Sequence, residues 1–110
     1  MLRNKDRQLT RKARTQSEQI AFRVDDTDRA AGQLRTAGQD FAHWLDDLDD
    51  ERLIEKIPNL TERLDYIYTR TVNVQKAVVN TILEIHAMRE TLEKLDTRKI
   101  NREKEEGGEC

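Results

Sequence analysis

Proline, glycine, cysteine and aromatic side chains are all scarce in this chain. Its 110 residues include one proline, four glycines, one cysteine and five aromatic residues, and 35% of them are hydrophobic while 38% are charged. So small an apolar share argues against a compact globule, because ordering the backbone alone costs about 1–2 kcal/mol per residue. Two classes tolerate this balance: disordered chains, and long helices that bury a narrow stripe against partners. The scarcity of proline and glycine favours helices.

Long apolar runs and catalytic motifs are also missing. No apolar stretch approaches the ~18 residues of a membrane span, and the N-terminus lacks the apolar core of a signal peptide. The only cysteine, Cys110, cannot form an intrachain disulfide. The two histidines, His43 and His86, belong to no metal-binding motif, and the sole serine, Ser17, has no triad partners around it. We therefore predict a protein that is not an enzyme and has no cofactor, no metal and no transmembrane span.

The charges are unevenly distributed, although their net value is only −2. Residues 1–15 carry six bases and one acid, whereas residues 25–58 carry ten acids and four bases. We predict that residues 1–15 form a basic, flexible leader. Such a leader also allows a different function, the binding of nucleic acid or an anionic membrane. Because no aromatic residue is interleaved with the bases, we expect no nucleic acid partner.

The segment 57–98 shows the clearest pattern, an apolar residue at alternating spacings of three and four. Ten of its twelve seam positions are apolar, over six heptads without a slip. This repeat is typical of a left-handed coiled coil that packs against partner helices. With Ile57 at position a, the predicted partner-helix seam consists of Ile57, Leu60, Leu64, Ile67, Thr71, Val74, Val78, Thr81, Ile85, Met88, Leu92 and Leu95. We expect this seam to be buried only against other chains.

A second apolar row runs beside the seam at helical spacing. A two-stranded coiled coil would keep these positions polar, so the middle of the helix is predicted to contact at least two neighbouring helices. The charged flanks Arg63, Arg70, Glu84 and Arg89 are expected to select those partner helices. The second row consists of Tyr68, Val72, Val79, Ile82 and Leu83.

The N-terminal half repeats the pattern with less apolar bulk. A helix is predicted within residues 16–56, anchored by Phe41, Trp44, Leu45 and Leu48 and acidic toward its end. Gly38 falls on the seam of this helix and either permits a close helix approach or marks a weak point. After a turn, the heptad helix is predicted over 57–104, with Asn59 as its N-cap after Pro58. Residues 105–110 are predicted to be a flexible tail.

The stretch from Phe41 to Arg98 resembles a family of coiled-coil proteins. The resemblance is carried by Ile57-Pro58, by Ile67-Tyr68-Thr69-Arg70 and by the apolar positions that follow, through Val78, Ile82, Ile85 and Met88. It is similar to the cappuccino subunit of the biogenesis of lysosome-related organelles complex. The resemblance implies a rod-like hetero-oligomer of small helical subunits that sorts cargo from endosomes, without an enzymatic step.

The overall prediction is an all-α protein whose elongated helices form a coiled coil or multi-helix bundle with partner chains. Its function would be that of a coiled-coil subunit of a hetero-oligomeric cytoplasmic complex, which the resemblance connects with endosome-to-lysosome-related-organelle trafficking. The same architecture also fits a structural subunit of a kinetochore or microtubule-associated complex. The expected location is the cytoplasm, with peripheral attachment to endosomal or lysosomal membranes through the complex left open.

Overall fold

Helices account for nearly the whole chain. The computed structural model describes the backbone of residues 3–107 and the side chains of residues 3–101. It contains α1 (Asn4–Asp46), α2 (Asp50–Glu55) and α3 (Ile57–Gly107), and residues 3–107 include no strand. The prediction of an all-α fold with long helices is confirmed. Cys110, to which no role had been assigned, lies outside the described residues.

Helix α1 begins at Asn4, twelve residues before the predicted start. Residues 4–15, predicted as a flexible leader, therefore form its first turns. Lysine, arginine and glutamine dominate this segment and are good helix formers. Asp6 and Ala13 are buried there, and both continue at seven-residue spacing the row that contains Ile20. Small and polar residues thus extend the packed side of α1 where the sequence has no apolar pattern.

The connection between the long helices includes a short helix that the sequence did not predict. Asp49 caps α2, because its Oδ1 accepts a hydrogen bond of 2.8 Å from the Arg52 backbone N–H. Helix α3 then begins at Ile57, so the prediction of Asn59 as N-cap is wrong. Pro58 lies in the first turn, where its missing N–H breaks no intrahelical hydrogen bond. Helix α3 also continues to Gly107 and includes residues 105–107 of the predicted tail.

The helices form two compact units. Unit 1 consists of Met1–Arg23 and Asn80–Cys110, so it joins the start of α1 to the end of α3. Asp6 pairs with Arg98, and the Arg23 Nε lies 3.8 Å from the Glu84 Oε1. Since α1 residue numbers rise as those of their α3 partners fall, the two segments are antiparallel. Among the described residues of unit 1, the buried ones are Asp6, Ala13 and Thr91.

Unit 2 spans Val24–Val79 and contains the rest of α1, all of α2 and the start of α3. Its long segments are also antiparallel: Arg70 donates a 2.9 Å hydrogen bond to Gln33, and the Arg63 guanidinium lies 4.2 Å from the centre of the Trp44 ring. Every residue of unit 2 is described, and none is buried. The two segments of unit 2 alone therefore do not remove a large side chain from water.

Candidate helix-binding interface

Three neighbouring rows on α3 determine what this helix can bind. Rows a and d are the two halves of the predicted seam: row a contains Ile57 and every seventh residue to Leu92, and row d contains Leu60 and every seventh residue to Leu95. Row g contains Arg63 and every seventh residue to Arg98. On a helix, positions i+3 and i+4 lie on opposite sides of position i. Row d therefore lies between row g and row a.

Row g faces the chain's own α1. Four of its six residues make polar contacts with α1, and two others, Ala77 and Thr91, are half-buried or buried. In unit 1, Arg98 pairs with Asp6 and Glu84 with Arg23. In unit 2, Arg70 bonds to Gln33 and Arg63 stacks over Trp44.

Row d is half-buried at every position, from Leu60 to Leu95. Together with row g it forms the surface of α3 that packs on α1. The expectation that the whole seam is buried only against other chains is therefore wrong for row d. The charged flanks Arg63, Arg70 and Glu84, expected to select partner chains, contact α1 instead. Arg63 and Arg89 are both exposed.

Row a carries four of the ten large hydrophobic side chains that are exposed among the described residues of α3. Ile57, Leu64, Val78 and Leu92 keep 40–53% of their surface exposed. Ile85 is half-buried. Thr71 is exposed, and its hydroxyl donates a 2.9 Å hydrogen bond to the Ile67 carbonyl. A row of such side chains exposes apolar surface that a partner helix could cover.

In unit 2, α1 contributes a matching outer row. Thr27, Leu34 and Phe41 form a half-buried row of α1, and Ala31, Gly38 and Leu45 lie four residues after its members, in line with Val24. Row a also lies four residues after row d. Because antiparallel helices are viewed from opposite ends, these two outer rows lie on the same side of unit 2. We call this surface the open face: Val24, Ala31, Gly38, Leu45, Ile57, Leu64, Thr71 and Val78.

The open face of unit 2 combines bulky and small positions. Its α3 half carries Ile57, Leu64 and Val78, whereas its α1 half includes Ala31 and Gly38. A Cβ atom added to Gly38 would meet no atom within 4 Å, so the space beside it is empty. Small residues on a helix allow another helix to approach closely.

The predicted second apolar row divides between different sides of α3. Tyr68 and Ile82 lie four residues after members of row a and extend that side of the helix, and both are exposed. Val79 is also exposed, whereas Val72 is half-buried. Leu83 is exposed on the side of α3 away from row d.

The predicted anchor residues lie at the end of α1 and in the turn after it. Phe41, Trp44, Leu45 and Leu48 are all half-buried. The Trp44 ring supports the Arg63 guanidinium, a cation–π contact worth about 0.5–1 kcal/mol at exposed sites. The Leu48 N–H donates a 3.1 Å hydrogen bond to the Leu45 carbonyl and so helps to close the turn.

The sequence analysis did not single out Asp6, Arg23 or Arg98, which make ion pairs between the two helices in unit 1. Asp6 pairs with Arg98, and Arg23 pairs with Glu84. The available signal was the seven-residue recurrence of Arg63, Arg70, Glu84 and Arg98 on one side of row d. Polar residues at such positions usually indicate a flank exposed to solvent, so the pattern alone did not predict their contacts with α1.

The side chains of residues 3–101 contain no group of three or more His, Cys, Asp or Glu arranged to hold a metal ion. No helix in the described part of the chain is long and apolar enough to cross a membrane. Comparison with protein-family models, curated proteins and solved structures found no match to this chain.

Proposed function

We propose that this chain is a non-enzymatic subunit of a hetero-oligomeric helical complex, in which the open face of unit 2 binds an apolar helix of a partner chain. The observation that carries the proposal is the exposure of row a. Row d is half-buried and row g makes contacts with α1, whereas Ile57, Leu64 and Val78 remain 40–53% exposed. The members of row a recur every seven residues, which is about two turns of a helix. A partner helix lying along this row could therefore pack its own apolar side chains against them.

A partner helix that covers row a would gain a substantial binding free energy from a small surface. Fully burying a large aliphatic side chain is worth about 1.5–3 kcal/mol, so covering the exposed half of each of these three contributes about 1 kcal/mol. Tyr68, which borders row a, adds a large aromatic surface. Unit 2 lacks any buried residue, so a partner would also supply the packing that its own helices do not.

Charge favours a partner that differs from this chain. Unit 2 carries twelve acids and seven bases, a net charge of −5. Two copies of unit 2 placed face to face would repel each other, whereas a helix with basic flanks would be attracted. Asp28 and Asp65 are exposed beside the open face and would meet those flanks. We therefore infer a partner helix with an apolar row between basic residues.

The resemblance to cappuccino-like subunits makes this proposal more specific. We propose that the complex acts in the cytoplasm, in transport from endosomes to lysosome-related organelles. Loss of the protein would then mislocalise the cargo of those organelles without changing a catalytic activity. This part of the proposal rests on the sequence pattern from Phe41 to Arg98.

Affinity purification of the tagged full-length chain tests both parts. We expect several small helical proteins at near-equal amounts, and we expect Leu64→Asp to remove them. Leu83→Asp is the matched control: it changes another exposed leucine of α3 that lies away from rows a and d. Partners that survive Leu64→Asp would contradict binding at row a. Recovery of a second copy alone would contradict the hetero-oligomer, and recovery of tubulin or centromere proteins would contradict the trafficking role.

A further inference from the structure

Four arginines lie along one side of the start of α1: Arg3 directly precedes the helix, and Arg7, Arg11 and Arg14 lie within it. Arg3, Arg7, Arg11 and Arg14 are all exposed. At about 100° per residue, their positions fall within about 80° of the helix circumference, and they span about 16 Å along its axis. We call this set the arginine stripe. Lys5 and Lys12 are exposed as well, but they lie on a different side of the same helical segment.

The only acidic residue in this segment does not offset the positive charge of the arginine stripe. Asp6 is 4% exposed, and its carboxylate pairs with Arg98 of α3. It therefore lies on the packed side of α1, and its charge is compensated within unit 1. The exposed ionisable residues between Arg3 and Arg14 are all basic, so an anion approaching this side of the helix meets positive charge alone.

The side chains on the stripe indicate the chemistry of its ligand. Guanidinium groups bind phosphate oxygens in a bidentate, planar geometry, which a lysine ammonium does not provide. No aromatic residue lies between Arg3 and Arg14 that could stack on an unpaired base. Leu9 is half-buried toward the packed side, so the stripe offers no apolar side chain for insertion into lipid. Binding would depend on charge and on hydrogen bonds to phosphate.

The extent of the stripe favours a surface over a long polyanion. The next ionisable residues on the same side of α1 are acidic: Glu18 lies one turn after Arg14 and Asp25 two turns later, and both are exposed. A nucleic acid strand running along the helix would be repelled there. A bilayer surface can contact a short basic segment and leave the rest of the helix in water.

We propose that the arginine stripe binds an anionic membrane surface whose lipid headgroups carry phosphate monoesters. This contact is independent of the open face, because it uses residues 3–14 and unit 1, whereas the open face belongs to unit 2. It is peripheral and made at the level of the headgroups. A polybasic segment gains about 1 kcal/mol per basic residue near such a surface, and salt weakens the attraction.

The test is vesicle flotation of the full-length protein at low salt. Phosphatidylcholine vesicles with and without phosphatidylinositol bisphosphate are the probes. We compare Arg7→Gln/Arg14→Gln with Lys5→Gln/Lys12→Gln, since both pairs remove two charges seven residues apart and differ only in the side of the helix. The arginine pair is expected to weaken binding to the anionic vesicles roughly tenfold or more, and the lysine pair only a few-fold. Circular dichroism confirms that each variant keeps its helix content.

Three results would overturn the proposal. Equal losses from the two double variants would mean that total charge, and not the stripe, drives the contact. Binding to both vesicle types alike, or binding unchanged by high salt, would exclude phosphate recognition. Tighter binding to a short DNA duplex than to the anionic vesicles, lost in the arginine variant, would identify a nucleic acid as the partner.

Discussion

Rows g and a of α3 flank the same row d, but they differ in composition and in what covers them. Row g is mostly polar, and it contacts α1 through ion pairs, a hydrogen bond and a cation–π contact. Row a is mostly apolar and remains open to solvent. If the chain folded only for its own stability, the apolar row would be the better one to bury, since exposed ion pairs contribute about 0–1 kcal/mol each. This difference is the basis of our proposal that row a binds another chain.

The largest expected effect separates row d from row a. Ile67→Asp puts a carboxylate on row d, at a half-buried position of unit 2, and should lower the free energy of unfolding by about 3 kcal/mol. Leu64→Asp makes a comparable change one turn earlier on row a, at a position that is 53% exposed. It should change that free energy by no more than about 0.5 kcal/mol. Urea unfolding followed by circular dichroism measures both. Equal losses would mean that row a is buried within the chain.

A smaller effect is expected from row g. Arg98→Gln removes the arginine that pairs with the buried Asp6 carboxylate, which should cost about 1–2 kcal/mol of the free energy of unfolding. We do not expect a loss as large as that from breaking a fully buried ion pair, because Arg98 itself is one-third exposed. Lys99→Gln, at the next and exposed residue, is the control and should cost no more than about 0.5 kcal/mol. If both variants unfold alike, the pairing of row g with α1 does not stabilise unit 1.

The smallest stability effect concerns Gly38. An added methyl group meets no atom within 4 Å, so Gly38→Ala should raise the free energy of unfolding by up to about 1 kcal/mol through helix propensity. The same measurement in urea detects it.

Gly38→Leu then separates two roles for this glycine, a close helix approach or a weak point. On the open face a leucine would hold a partner helix away, so we expect weaker partner recovery from Gly38→Leu than from Gly32→Leu. Gly32 also has open space at its Cβ position but lies on another side of α1. Equal recovery from both leucine variants would leave only the weak-point role.

The helical fold could be predicted because α3 carries a strict seven-residue repeat and the chain has a single proline. The sequence could not predict which side of row d meets α1. Rows a and g both lie within reach of a neighbouring helix, and apolar burial favours row a. The contacts of row g depend on specific matches, such as Glu84 with Arg23 and Arg98 with Asp6, which sequence spacing on one helix does not reveal.

The predicted starts of α1 and α3 were wrong for a related reason. Residues 4–15 lack an apolar period, yet Ala13 and Asp6 suffice to continue the packed side of α1 because the facing end of α3 supplies Arg98. At the other end, the Asn59 cap rested on the assumption that Pro58 stays outside the helix. Pro58 lies instead within the first turn of α3, where proline is well tolerated.

The central claim, that row g faces inward while row a faces outward, is tested most directly by thiol labelling. Thr91 and Leu92 are neighbours on α3, but Thr91 is 2% exposed and Leu92 is 46% exposed. We would place Thr91→Cys or Leu92→Cys in a chain carrying Cys110→Ser and measure the rate of alkylation of each folded protein. The Leu92→Cys thiol should react at least ~10-fold faster, because the Thr91→Cys thiol must wait for local opening. Equal rates, or faster labelling at Thr91→Cys, would contradict the account.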